Sequence, residues 1–303
     1  MIKKLVKLIR NIQQLNHTLD YIQQSLGRIE IRQLFPVNNS TLLPNHEFKV
    51  YSQSGEDGII QYLINNIQIS DKRFIEFGVE NYLESNTRFL AINNYWSGLV
   101  IDGDQGNIEF IKNDPIYWRC NIKAEHSFIT KENINAIFSN NGMTGDIGLL
   151  SVDIDGNDYW IWEAINTVNP AIVIAEYNSF FGQKEEITVP YDPGFVRTSA
   201  HFSKIFYGAS IAALTSLANK KGYKLIASNQ AGNNVFYVRE DLMGPLNEMA
   251  IKEAYKPIKF REVHNSQGDL TFLPFDEARK VIGELKVYNI KTDREVTVNS
   301  LWQ

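Results

Sequence analysis

Apolar residues recur every seven positions at the start of the chain. Leu5, Ile12, Leu19 and Leu26 form one set, and Leu8, Leu15, Ile22 and Ile29 a second, interleaved by three and four. This a/d spacing over four heptads predicts an amphipathic helix over residues 1–34. Leu and Ile are mixed at both seam positions, so strand number is not specified. Positions e and g are mostly polar and uncharged (Asn11, Asn16, Thr18, Gln23, Ser25), so charge does not set the pairing. The expectation is a homo-oligomer formed through residues 1–32. One alternative is a helix lying on its own domain. Another is a basic amphipathic helix on a membrane surface, suggested by Lys3, Lys4, Lys7 and Arg10 but disfavoured because these crowd one end. Pro36, Pro44 and an Asn-Asn-Ser-Thr cluster mark 35–51 as a linker.

The period then changes. Ser52 to Ile67 has helix-starting chemistry, with Glu56 and Asp57 in the first turn and Ile59, Ile60, Leu63, Ile64 and Ile67 at helical spacing. Short apolar runs predict strands at 74–77, 99–101, 117–121, 147–152 and 171–175. Helical patterns lie at 85–93, 107–113, 130–139, 159–165 and 207–221. Alternation of this kind argues for a parallel sheet covered on both faces. The rhythm ends in a hairpin, YKLIASN and NNVFYVR, joined across Gln-Ala-Gly. The expected unit is a Rossmann-like domain over 52–245, with a C-terminal extension over 246–303 that ends in a second hairpin around VYNI and REVTV.

Charge and cysteine content narrow the partners. Net charge is −5 overall, while residues 1–32 carry a net +4, leaving −9 for the rest. An acidic body argues against nucleic acid. The single cysteine, Cys120, permits no internal disulfide and suggests a cytoplasmic setting. No apolar run approaches the ~20 residues that span a bilayer, and MIKKLVKLIR lacks the apolar core and cleavage site of a signal peptide.

The first strand ends in Glu76-Phe77-Gly78 and the second in Asp102. An acid at the second tip of a β-α-β unit suits ribose hydroxyls. A pyrophosphate cofactor needs a GxGxxG turn; here Val79, Glu80 and Asn81 follow Gly78, and no GK[ST] loop occurs. Glu76 and Glu80 would repel a pyrophosphate and suit the cationic sulfonium and amino groups of S-adenosylmethionine.

These features resemble a class I S-adenosylmethionine-dependent methyltransferase, and within that group FkbM-type and related bacterial methyltransferases. The segments that carry the resemblance are SQSGEDGII (52–60), FIEFGVENYLESNT (74–87), GLVIDGD (98–104), LLSVDIDGNDYWIW (149–162), AEYN (175–178), FYGASIAAL (206–214) and NNVFYVRED (233–241). They cover roughly residues 50–241. The turn Val79-Glu80-Asn81 departs from the family's glycine-rich form. The resemblance implies a seven-stranded, mostly parallel sheet with an antiparallel last strand. It also implies cofactor contacts at Glu76 and Gly78 (methionine end), Asp102 (ribose) and Asn121 (adenine), and Asp153 facing the amino group or the substrate. Some class I methyltransferases acting on vicinal diols hold a divalent metal with an acid after strand four and an acid plus amide after strand five. Asp153, Glu176 and Asn178 resemble that set and would suit Mg²⁺.

The same DIDGND run is also turn and helix-cap chemistry. Without a metal, a base is needed, and Asp153 and His201 are the candidates. Asp155, Tyr177, Tyr191 and Asp192 are candidates for the acceptor pocket; Trp160 and Trp162 read as core. The expected activity is O-methylation of a sugar or glycan-precursor hydroxyl in cell-surface polysaccharide synthesis. The alternative is a non-catalytic cofactor-binding module assembled by its N-terminal helix.

Overall fold

The computed structural model describes residues 2–34, 46–259 and 263–301. The expected linker lies outside the described residues over 35–45. Helix α1 is continuous over Ile2–Leu34. Then follow α2 (Glu56–Asn66), β1 (Arg73–Phe77), α3 (Arg88–Asn94), β2 (Ser97–Asp102), α4 (Gln105–Asn113), α5 (Pro115–Arg119) and β3 (Ile122–His126). Next come α6 (Ile134–Asn140), β4 (Gly145–Val152), α7 (Asp158–Ala164), β5 (Val168–Glu176), β6 (Ile187–Thr188), α8 (Arg197–Ala200) and α9 (Ile211–Lys220). The chain continues through β7 (Tyr223–Ser228), β8 (Asn234–Arg239), α10 (Ile251–Ala254), α11 (Phe275–Val281), β9 (Lys286–Asn289) and β10 (Arg294–Thr297).

Seven strands form one sheet in the order β3-β2-β1-β4-β5-β8-β7. All neighbours from β3 to β5 pair in parallel, and β8 runs antiparallel to both β5 and β7. The expected Rossmann-like sheet with its antiparallel last strand is therefore present. Alternate residues of each strand enter opposite cores. Ile75, Phe77, Leu150 and Val173 meet Phe138, Trp162 and Leu214 of α6, α7 and α9. Phe74, Val100, Leu149 and Ile172 meet Ile60, Leu90 and Ile108 of α2, α3 and α4. Continuous apolar runs arise because both faces of the central strands are covered.

One strand lies elsewhere than the sequence pattern predicts. Residues 115–119, at the expected third strand, are helical, because Asp114 accepts from Ile116 N at 2.8 Å and Pro115 occupies the first turn. The true β3 alternates: Ile122 and Ala124 face inward, while Lys123 is exposed, as befits an edge strand. Helix α9 also starts later than expected, at Ile211, capped by Ser210, whose hydroxyl accepts from Ala213 N at 3.0 Å.

The expected second hairpin is β9–β10. It joins β6 in a three-stranded sheet, so the C-terminal segment is tied to the 177–210 connection. A separate apolar cluster, including Phe181, Ile187, Ile205, Ile282 and Val287, fastens the two.

Candidate functional site

The strand order reverses between β1 and β4, and ligands of open α/β sheets bind beyond the carboxyl ends at such a point. A cleft of about 500 Å³ lies there. Its wall takes Glu76 from β1, Asp102 from β2, Ser127 and Phe128 after β3, Asp153 and Asp155 after β4, Glu176 from β5 and Asn234 from the start of β8. Gly78 permits this convergence. It has φ +74°, and a Cβ there would lie 1.6 Å from the carbonyl oxygen of Asp153. The glycine turn inferred from sequence is thus required by close backbone approach as well as by conformation.

The acids of β1 and β2 are occupied. Glu76 accepts from Asn86 N (2.8 Å), Thr87 N (2.9 Å) and the Thr87 hydroxyl, which anchors the start of α3. Burial nevertheless pushes its pKa up to about 7, against the pull of these hydrogen bonds. Asp102 Oδ2 accepts from Glu80 N (2.7 Å), and its Oδ1 accepts from Asp104 N (2.8 Å) and Asn107 Nδ2 (3.0 Å). Of roughly four acceptor positions on a carboxylate, three are filled, so Asp102 has room for one further hydrogen-bond donor rather than two. Glu80 is exposed with φ +47°, and its backbone rather than its side chain engages Asp102.

The DIDGND run divides its labour. Asp158 is buried and accepts from Ile154 N (2.8 Å) and Gly156 N (2.9 Å), so it is the turn acid. Asp153 and Asp155 are left to face the cleft. Together with Glu176 they place one oxygen each within 4.8 Å of one another. Burial, then repulsion from Asp155 and Asp158, holds the Asp153 carboxyl well above its usual range. Burial, then Asp153 and Asp155, does the same to Glu176. Glu176 Oε2 is buried and has no hydrogen-bond partner among the described residues. Arg197 is the nearby counter-charge: it pairs with Asp155, donates to Lys204 O at 2.9 Å and stacks 3.7 Å over the Tyr207 ring.

Several expected site residues lie elsewhere. Asn121 precedes β3, and its carbonyl accepts from Gly98 N at the amino end of the sheet, away from the cleft. Asn178 is buried, with its amide donating to Ile205 O and Tyr207 O (both 2.9 Å) and its Oδ1 accepting from Phe180 N (3.0 Å), so it braces the backbone after β5; the carboxylate that joins Asp153 and Glu176 is Asp155. Tyr177 is a core residue whose hydroxyl donates to Lys256 O at 2.8 Å. Tyr191 bonds Glu132 (2.5 Å) and carries Lys131 over its ring at 4.0 Å, outside the cleft wall. His201 bonds Ser203 Oγ at 2.7 Å and is likewise not in the wall. Trp162 is core, as expected, and Trp160 donates to Val189 O at 2.9 Å.

The sequence reading missed Gln53, Phe128, Arg197 and Asn234 in the wall. The SQSGED run held a usable signal. Buried Glu56 accepts from Asn229 Nδ2 (2.6 Å) and Asn234 Nδ2 (3.0 Å), while Asp57 Oδ2 accepts from Val50, Tyr51 and Ser52 N (2.7, 2.7 and 2.8 Å). Two acids in a helix's first turn here brace a loop over the cleft as well as favouring the helix.

No protein-family model matches the chain, and no curated protein matches it. Among solved structures it is similar to the O-methyltransferase from Bacillus cereus in complex with SAH, at 13% identity over 69% of this chain and 90% of that one, TM-score 0.40. It is also similar to an S-adenosylmethionine-dependent methyltransferase from Clostridium acetobutylicum ATCC 824, at 10% identity over 61% and 90%, TM-score 0.40. A third is the N-terminal domain of EvdMO1 with SAH bound, at 12% identity over 55% and 73%, TM-score 0.36. At these scores the likeness adds nothing to the strand order and register, on which the fold assignment rests.

Proposed function

We propose that the chain is an S-adenosylmethionine-dependent O-methyltransferase of the FkbM-type or a related bacterial kind, acting in the cytoplasm on a hydroxyl of a small molecule, with a sugar or glycan precursor as the acceptor class. Residues 52–245 would form the catalytic domain. The observation that carries this reading is an acid-lined cleft at the sheet's switch point, with Asp102 at the β2 tip and no glycine cradle for a pyrophosphate. The cofactor, when bound, supplies an electrophilic methyl group. Asp102 offers its remaining lone pair to a ribose hydroxyl. Buried, unpartnered Glu176 Oε2 provides negative charge for a cationic group. Asp153, made more basic by burial and by Asp155, accepts the proton of the acceptor hydroxyl. Holding donor and acceptor in line is then the main remaining task.

A divalent cation such as Mg²⁺ fits the donor set of Asp153, Asp155 and Glu176, all oxygen and partly uncompensated. Bound there, it would supply a Lewis acid beside the acceptor oxygen.

Calorimetry with S-adenosylhomocysteine tests the reading. The chain is expected to bind it, and Asp102→Ala to weaken binding about tenfold, roughly the worth of one charge-assisted hydrogen bond. Absence of binding, or an unaffected Asp102→Ala, would overturn the proposal. For the metal, turnover that survives EDTA while Asp153→Asn is inactive leaves Asp153 as the base. Loss in both assigns the cation to the cluster.

A further inference from the structure

Nothing in the cleft chemistry calls for a 33-residue helix at one side of the domain. Helix α1 uses two distinct stripes. Asp20, Gln24, Gly27 and Ile31 face the body. Asp20 and Gln24 bond the Tyr51 hydroxyl, Ile31 packs by Val50 and Phe89, and a Cβ on Gly27 would meet Val50 at 2.5 Å. The a/d seam lies about 130° around the helix from that stripe, at 100° per residue, and is open along its whole length. Leu5, Leu8, Ile12, Leu15, Leu19, Ile22, Leu26 and Ile29 are each 45 to 57% exposed, with Ile9 at 47% widening the stripe. Every described side chain from Lys4 to Leu19 is exposed, so the first half of α1 stands clear of the body. In proteins most helical stability comes from packing of the amphipathic face rather than from propensity, and within this chain the seam is left uncovered.

We infer that α1 is an interface with a second copy of this chain, seam against seam. A narrow stripe repeating every 3.5 residues fits the knobs-into-holes packing of a partner helix with the same repeat, and an identical copy supplies one. The body sits on the opposite side, so it leaves room for that helix along all four heptads. Joining two such seams would remove on the order of 1,000 Å² from water, the range at which specific interfaces begin. A membrane surface fits less well: four of the six basic residues, Lys3, Lys4, Lys7 and Arg10, lie at the amino end, while further along Arg28 and Arg32 are offset by Asp20 and Glu30. The inference does not depend on the methyl-transfer reading.

Sedimentation equilibrium of the full chain at micromolar concentration tests it. The expected result is a multiple of the single-chain mass. The triple variant Ile12→Glu, Leu15→Glu, Leu19→Glu should run as a single chain, while Gln14→Glu with His17→Glu, outside the seam, should keep the wild-type mass. Because these side chains lie clear of the body, circular dichroism should show the α/β domain intact in every variant. A single-chain mass for the wild type, or an unchanged mass for the seam variant, overturns the inference. So does a single-chain wild type that floats with phosphatidylserine vesicles, since that result assigns the stripe to a lipid surface.

Discussion

The acids at the tips of β1 and β2 and those after β4 and β5 line one cleft, but they are held in opposite ways. Glu76 and Asp102 each accept three hydrogen bonds from the segments that follow β1 and β2 and so fix the shape of the cleft. Asp153 and Glu176 crowd one another with little compensation. Carboxylates with most of their acceptor positions filled define architecture. Those left short of partners are where a cation, a cofactor's positive group or a proton can be taken up. Location at a strand tip therefore does not by itself mark a reactive acid.

The largest effect is expected where the two pairs meet. Gly78→Ala puts a methyl group into the Asp153 carbonyl at positive φ and should cost about 4 kcal/mol or more, or abolish cooperative folding. Gly103, at the β2 tip, is the control: its nearest neighbour would be Phe128 at 3.5 Å, so Gly103→Ala should unfold near the wild-type midpoint. Urea titration of both variants separates the two positions, and equal midpoints would break the claim that the Gly78 contact builds the cleft.

The two acid pairs should next give opposite signs of stability. Glu76→Ala leaves buried donors of Asn86 and Thr87 without an acceptor and should cost about 2 kcal/mol. Glu176→Gln removes an uncompensated charge and should raise stability by about 1 kcal/mol at neutral pH while abolishing turnover. A carboxyl whose folded pKa is raised binds more protons folded than unfolded. Its contribution is full below the ordinary value near 4.5 and is lost as pH rises through the folded value. Stability of the wild type should therefore fall as pH rises above the ordinary value near 4.5, with Asp57 and Asp158 (each pushed up to about 6) and Glu76 (about 7) contributing in the same sense, and Glu176→Gln should lessen that fall. Urea midpoints measured across the range check both, and a Glu176→Gln variant less stable than wild type at pH 8 would sink the contrast.

How far the sequence could be read follows the same division. Central strands were legible because burial on both faces makes them continuous apolar runs, and that placed Glu76, Asp102, Asp153 and Glu176 at strand ends. Edge strand β3 was not, because its lysine, glutamate and histidine hide the period while Ile116-Tyr117-Trp118 imitates a strand. Side-chain direction after β5 was also out of reach. Tyr177, Asn178 and His201 are oriented by the 177–210 connection and the C-terminal segment, and Arg197 reaches the cluster only through that connection.

The misplacement of β3 yields the smallest prediction and the cleanest control. With the strand moved to Ile122–His126, its carboxyl end delivers Phe128 to the cleft, 51% exposed and beside Gly103, while Asn121 stays at the opposite end of the sheet. An exposed aromatic face at the third strand tip suits a flat base, whereas an amide at the amino end cannot reach one. Phe128→Ala should weaken S-adenosylhomocysteine binding about fivefold to tenfold, and Asn121→Ala should leave it unchanged, since one aromatic contact is worth about 1 kcal/mol. Both side chains are exposed, so neither change should disturb folding, and calorimetry reads the cleft alone. If Asn121→Ala weakened binding and Phe128→Ala did not, the proposed adenine end of the cleft would have to be sought away from the β3 tip, and the nucleoside contact proposed for Asp102 would lose its support.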